Sequence, residues 1–195
     1  MKVVAFNGSP RRGGNTESML QTTLEELARH GIQTELIQVG GTGLRTCVAC
    51  NYCQQHRTAE CAFTGDPVNE WIGKAKAADG IILGSPVYFY NVTGEMKALM
   101  DRMGYVARGN GRMFTGKAGA AVVAMRRSGA ITALDAMLNF FMAMQMYIVG
   151  GPSFVVARDI GDASQDAEGL QNLNALGRNM AHLLAMMDQY RQGKA

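Results

Sequence analysis

Short apolar runs alternate with segments of helical periodicity along the chain, and this alternation restricts the fold more than any single residue does. Residues 2–6, Lys2-Val3-Val4-Ala5-Phe6, read as a buried first strand. Met19, Leu20, Thr23, Leu24, Leu27 and Ala28 then recur at helical spacing, and Gly31 ends that helix. Residues 33–39 alternate as a second strand, and 67–78 suit a short helix with Asp66 as its N-cap. Gly80-Ile81-Ile82-Leu83-Gly84 is a continuous apolar run, as in strands covered on both faces. Residues 94–103 predict a helix burying Met96, Leu99, Met100 and Met103, and 118–125 predict a fourth buried strand. Ile131, Leu134, Leu138, Phe141 and Met142 line a further helix. Residues 147–149, with an extension past Pro152 to 156, supply the fifth strand. A last helix over 165–189 turns Leu170, Leu173, Leu176, Met180, Leu183, Leu184 and Met187 inward. Five strands alternating with helices imply an α/β fold of right-handed βαβ units around one parallel sheet. Ligands of such sheets sit beyond the carboxyl ends of the strands. Chemistry is therefore expected in the loops after strands one, three and four.

The 195 residues suffice for one well-formed core and fall short of two full domains, so one domain over 1–195 is expected. The net charge is +3 and the basic residues are scattered, which leaves no nucleic-acid footprint. No run of 18 apolar residues exists, so no membrane span is expected. The chain enters a strand at once, without the basic and apolar regions of a secretory signal, and a cytoplasmic location follows as the expectation.

The first loop joins a buried strand to a helix start. Gly8, Gly13 and Gly14 let the backbone fold tightly and turn its N–H groups inward. Asn15 and Thr16 open the helix, whose positive end favours an anion. Ser9 and Thr16 add hydroxyls, and Arg11 and Arg12 add charged donors. Neither Gly-x-Gly-x-x-Gly nor Gly-Lys-Ser/Thr is present, which excludes the dinucleotide fingerprint and the P-loop. A ligand-free turn capped by Asn15 is the plainer alternative, but it leaves the convergence of Ser, Arg, Asn and Thr unexplained.

Gly8-Ser9-Pro10-Arg11, followed by Gly14-Asn15-Thr16, resembles the phosphate loop of the NAD(P)H-dependent FMN reductases and their relatives, the iron-sulfur flavoproteins. The resemblance continues in Ala78-Asp79-Gly80-Ile81-Ile82-Leu83-Gly84-Ser85-Pro86-Val87-Tyr88-Phe89 and in Gly94-Glu95-Met96-Lys97-Ala98-Leu99-Met100-Asp101-Arg102. It implies a flavodoxin-like three-layer sandwich whose five-stranded parallel sheet has the order 2-1-3-4-5. It also implies bound FMN and assembly as a homodimer or homotetramer. Ser9, Arg11, Gly14, Asn15 and Thr16 would hold the phosphate, while Pro86, Val87, Tyr88, Phe89 and Asn91 would contact the flavin. For Tyr88 and Phe89 a turn packed into core or an oligomer interface is the alternative. Relatives carry a glycine-richer stretch after strand four, where this chain has Arg126-Arg127-Ser128-Gly129. Ser128 and Gly129 remain flavin candidates there. The two arginines suit either the phosphates of NAD(P)H or a solvated pair. Lys97, Asp101 and Arg102 also match the family, and ion pairs on a helix account for them equally well.

All four cysteines fall in one segment, Cys47-x2-Cys50-x2-Cys53-x7-Cys61, inside an irregular insertion at about 43–65. A disulfide framework would spread cysteines to close longer loops, so the clustering points to metal, cluster or redox chemistry. The spacing resembles that of the iron-sulfur flavoproteins, which carry a 4Fe-4S cluster beside FMN. It differs from the bacterial ferredoxin run, whose last cysteine comes sooner and precedes proline. A cluster, ligand-free thiols and structural zinc all stand open, and His56 lies within the segment as a ligand or a solvated loop residue.

No Ser/His/Asp triad or paired carboxylate site stands out, and no catalytic side chain is assigned. The resemblance implies an oxidoreductase in which electrons pass from NAD(P)H through FMN to a small-molecule acceptor, with the cluster as a further centre. The alternative is an FMN and iron-sulfur electron carrier that exchanges electrons with a partner such as ferredoxin without oxidising NAD(P)H. A redox-sensing protein acting through its thiols is a third reading.

Overall fold

The computed structural model describes residues 1–151 and 153–193. Strand β1 (Lys2–Asn7) lies inside the sheet, and its residues from Val3 onward are buried. It pairs with β2 (Gln33–Gln38) on one side and β3 (Gly80–Pro86) on the other, and β3 pairs with β4 (Ala118–Met125). Every pairing is parallel and the order is β2-β1-β3-β4-β5, as the resemblance implied.

The expected fifth strand is broken into two pieces on the outer side of β4. Strand β5 (Tyr147–Ile148) meets Ala118 and Gly119, and β6 (Phe154–Val156) meets Val123, Ala124 and Met125. Positions 149–153 separate the pieces and include Gly150 and Gly151, and glycine weakens a strand interior. Pro152, which the expected strand crosses, lies outside the described residues.

Successive residues of a strand point to opposite faces, and the two cores follow that rule. Val3, Ala5 and Ile82 pack under α1 (Asn15–Arg29) and α6 (Ala167–Arg191). Val4, Phe6, Ile81 and Leu83 pack under the opposite layer. That layer holds α2 (Tyr52–His56), α3 (Val68–Ala77), α4 (Gly94–Gly109) and α5 (Ala130–Ala143). The result is a three-layer sandwich. Among the described residues no helix is long and apolar enough to cross a membrane.

Four local expectations are corrected. Helix α4 continues past 103 to Gly109, because Val106 and Ala107 extend its buried stripe. Helix α5 does not bury Ile131 or Met142, which are 63% and 56% exposed. It buries Ala130, Ala133, Met137, Phe140 and Phe141 instead. Its surface is apolar almost all round, so spacing alone fits more than one face. The Phe141 ring sits against Gly119 of β4, where a Cβ would come within 2.8 Å of it, and that contact selects the face. The irregular cysteine segment contains a helical turn, α2. Asp66 is not the N-cap of α3; that position belongs to Pro67, although Asp66 Oδ1 accepts from Val68 N–H at 3.2 Å.

Candidate functional site

The loop after β1 is held by close backbone contacts and by hydrogen bonds from short polar side chains. Gly8 N–H donates to Gly84 O at 2.7 Å, which ties the ends of β1 and β3 together. Thr93, the N-cap of α4, donates its hydroxyl to Gly8 O at 2.8 Å, and its N–H donates to Ser85 Oγ at 3.1 Å. Gly40 presses against the loop so closely that a Cβ would lie 2.3 Å from the Ser9 carbonyl carbon. Within the loop, Ser9 N–H donates to Asn7 Oδ1, Arg11 N–H to Ser9 Oγ, and Gly14 N–H to Arg11 O.

The next donors are open. Helix α1 makes its first backbone bond from Ser18 N–H to Gly14 O at 3.1 Å. The N–H groups of Asn15, Thr16 and Glu17 have no acceptor among the described residues. These are the orphan donors of a helix start, and they favour an anion. Thr16 is buried, and its hydroxyl also has no protein partner among the described residues.

Asn15 and Thr16 border a cavity of about 240 Å³ at the carboxyl edge of the sheet. Ser9, Arg11, Gly14, Asn15 and Thr16 line it from the β1 loop, and Pro86, Val87 and Tyr88 line it from the end of β3. Ala124, Arg126, Ala157, Arg158 and Ile160 complete the wall from β4 and the segment after β6. The structure thus brings eight of the sequence candidates together around one space. Asn15 has a second task. Its Nδ2 donates to Asp159 O at 2.8 Å, and its Oδ1 accepts from Gly161 and Ala163 N–H at 3.1 and 3.2 Å. The asparagine therefore pins the wall that follows β6. Sequence reasoning did not single out Ala157, Arg158 or Ile160, because the broken fifth strand hides where its carboxyl end lies.

The remaining flavin candidates lie apart from this cavity. Tyr88 and Asn91 exchange backbone hydrogen bonds at 2.8 and 3.1 Å, closing a two-residue turn. Its central residues, Phe89 and Tyr90, have φ of 44° and 64°. Left-handed backbone is costly for side chains of this size, and the Phe89 ring is fully exposed. Phe89 and Ser128 border a second cavity of about 280 Å³ with Val87, Tyr90, Arg126 and Arg127. Asn91 and Gly129 line neither cavity. Asn91 closes the turn, and Gly129 precedes α5 at φ 89°, where a Cβ would meet Val87 at 2.8 Å. Arg11, Arg126, Arg127 and Arg158 have no carboxylate partner among the described residues.

The cysteine segment forms a separate enclosure. Cys47, Cys50, Cys53 and Cys61 all line it, together with Phe63 and, from α4, Arg102, Tyr105 and Val106. All four cysteines are free thiols. Two asparagines fix the backbone of Cys53 and Cys61. Asn110 Nδ2 donates to Cys53 O at 3.1 Å, and Asn69 Oδ1 accepts from Cys61 N–H at 2.8 Å. Burial pushes the Cys53 thiol up, and the neighbouring sulfurs of Cys61, Cys47 and Cys50 add to the shift. Among the described residues no group of three or more His, Cys, Asp or Glu side chains is disposed to hold a single metal ion. His56 stacks on Tyr52 with ring centroids 4.1 Å apart and does not line the enclosure.

Arg102 is the charged residue of that enclosure. Its side chain is fully buried and pairs with Asp66. Its terminal nitrogens donate to Phe63 O at 3.2 Å and Arg45 O at 3.4 Å, while Nε has no partner among the described residues. Burial works against its charge, but Asp66 and the Cys61 sulfur outweigh burial and hold the guanidinium above its ordinary pKa.

A parallel sheet in this order, with an open helix start at the point where the strand order reverses, defines a flavodoxin-like α/β protein. Residues 1–161 match the model of the NADPH-dependent FMN reductases, and the chain belongs to that family of FMN-binding, flavodoxin-like oxidoreductases. An iron-sulfur flavoprotein of Methanocaldococcus jannaschii is 36% identical over 196 residues, covering 96% of this chain and 99% of that protein. Another, from Archaeoglobus fulgidus, is 31% identical over 196 residues, covering 95% of this chain and 98% of that protein. The solved structure of RosB with a bound formylated riboflavin phosphate intermediate resembles this fold with a TM-score of 0.78 at 16% identity. That match covers 97% of this chain and 81% of RosB.

Proposed function

We propose that this chain takes electrons from NAD(P)H, passes them through FMN in the 240 Å³ cavity, and delivers them to an acceptor by way of a 4Fe-4S cluster. The carrying observation is the run of unpartnered N–H groups at the start of α1, of which Asn15 and Thr16 line that cavity together with the Thr16 side chain. A phosphate supplies the acceptors those donors lack. Arg11, Arg126 and Arg158 add positive charge around the same space. Pro86, Val87 and Tyr88 lie where they would hold the ring, and the adjoining cavity shares Val87 and Arg126 with the first. A nicotinamide donor or small acceptor placed there would reach the flavin from the side of Phe89, Tyr90 and Arg127. FMN supplies hydride acceptance and one-electron release; the protein binds, orients and excludes water.

The enclosure suits the cluster by its donor set. Four cysteines line one space, the backbone of Cys53 and Cys61 is fixed by Asn110 and Asn69, and one buried cation stands beside them. The names of the iron-sulfur flavoprotein relatives support the same reading. That enclosure also favours a second reading, an electron carrier reduced by ferredoxin rather than by NAD(P)H.

Anaerobic reduction distinguishes the two. Protein loaded with FMN should bleach its flavin bands with NADPH or NADH at a catalytically useful rate, and should hold about four iron and four sulfide per chain. Rapid reduction by ferredoxin with only slow reduction by either nicotinamide would establish the carrier. Flavin bands without iron or sulfide would remove the cluster.

A further inference from the structure

We propose that Arg102 donates its Nε–H to the cysteine-held cluster on the Cys61 side, and that the buried Arg102–Asp66 pair sets the cluster's reduction potential; this inference rests on the cluster proposed above. The starting point is an unusual arginine. Its side chain is wholly removed from solvent, and its terminal nitrogens are engaged by Asp66, Phe63 O and Arg45 O. Among the described residues Nε is the one side-chain nitrogen or oxygen cut off from solvent altogether that has no hydrogen-bond partner; the Thr16 hydroxyl, by contrast, lies on a residue that lines the first cavity. A buried donor left unpaired costs about 1–3 kcal/mol, and more when it is charged. Nearly all such groups in folded proteins are paired, so an orphan donor on a residue that lines the enclosure points to an acceptor held there. The same enclosure is lined by the four cysteines.

Sulfur ligands and the inorganic sulfides of a cluster are such acceptors. One-electron reduction adds one negative charge to the cluster and breaks no bond to the protein. A cation and an N–H donor beside the sulfurs stabilise the reduced form and raise the potential. Asp66 opposes this, because its carboxylate offsets the Arg102 charge. The pair therefore acts as two levers of opposite sign. Arg102 is a positioning and tuning residue in this account.

The test is a redox titration of the cluster followed by EPR, with substitutions at both partners. Arg102→Gln should lower the potential and Asp66→Asn should raise it. Each shift should reach at least a tenfold change in the reduction equilibrium, which is about 59 mV for one electron. A pair that serves only packing would lower iron content in both variants without opposite shifts in the remaining cluster, and that result overturns the inference. Where the variants do not fold, unaltered protein decides. With its arginines labelled by 15N, the reduced cluster should show a weakly coupled arginine nitrogen in electron-nuclear double resonance. Absence of that coupling in a protein that holds its full iron overturns the role of Arg102 and leaves the cluster standing. Absence of iron from the anaerobically purified protein overturns both.

Discussion

Thr16 and Asn15 are neighbours at the start of α1, yet their side chains face different demands. Asn15 uses both ends of its amide on the segment after β6. Thr16 is buried at the cavity with a hydroxyl that serves no protein acceptor among the described residues. Thr16→Val keeps the shape and removes that hydroxyl alone. One hydrogen bond to a charged group contributes about 1.5–3 kcal/mol, so the dissociation constant for FMN should rise by roughly 10- to 150-fold. Thermal stability without FMN should stay unchanged. Quenching of FMN fluorescence on titration measures the first quantity, and an unchanged constant would move the phosphate away from α1. Asn15→Ala should differ in kind. Releasing the 159–163 wall lowers stability without ligand as well as affinity.

At the scale of elements, the close fit of β1, its loop and the end of β2 depends on Gly40. Its absent Cβ would sit 2.3 Å from backbone atoms of Ser9, which have no rotamer by which to yield. Gly40→Ala should therefore lower stability by about 1–3 kcal/mol and weaken FMN binding at the same time. Gly73, exposed inside α3 with nothing within 4 Å of its would-be Cβ, gives the opposite sign. Gly73→Ala should stabilise by about 0.5–1 kcal/mol and leave the flavin alone. Urea unfolding and FMN titration of the two variants check both. The same contrast explains which elements were legible beforehand. The strands at 2–7, 80–86 and 118–125 are buried on both faces, and continuous apolar runs say so directly. Glycines, hydroxyls and arginines at a strand-to-helix joint likewise point to the open helix start that lines the cavity. Helix α5 hides its inner face from sequence because its apolar surface goes nearly all round, and only contact with Gly119 chooses a face. The left-handed backbone of Phe89 and Tyr90 has no signature in residue type. In sequence, Lys97, Asp101 and Arg102 are accounted for by ion pairs on one helix. The fold leaves Lys97 and Asp101 paired at the surface and turns Arg102 inward to Asp66, a partner 36 positions away. Spacing along one helix cannot show that.

Over the whole molecule, the two edges of the sheet have separate duties. The carboxyl edge holds the cavities and the open donors. The amino edge is fastened by Asp79 at the start of β3, which accepts from Lys2 N–H at 3.0 Å and from Arg191, the last residue of α6, at 2.8 Å. One carboxylate thus joins the first strand, the third strand and the last helix. Burial pushes its pKa up, but the Arg191 and Lys2 bonds outweigh burial and hold it below the ordinary carboxylate value. A carboxyl with a depressed folded pKa adds stability that is fully present above its unfolded pKa and is lost as pH falls through the folded one. Asp79→Asn should therefore cost about 1–2 kcal/mol near neutral pH, a figure reduced from the range for charged hydrogen bonds because Arg191 is half exposed. The gap between variant and parent should narrow as the solution is made acidic, since protonation of Asp79 removes the same interactions from the parent. FMN affinity should not change, because the substitution lies at the edge opposite the cavity. Denaturant unfolding across the acid range, paired with FMN titration at neutral pH, measures both quantities. A gap that stays constant into acid would show that Asp79 acts through packing rather than charge. A parallel loss of FMN affinity would show that the amino edge reaches the cavity through α6 and the β6 segment, joining what the fold here keeps apart.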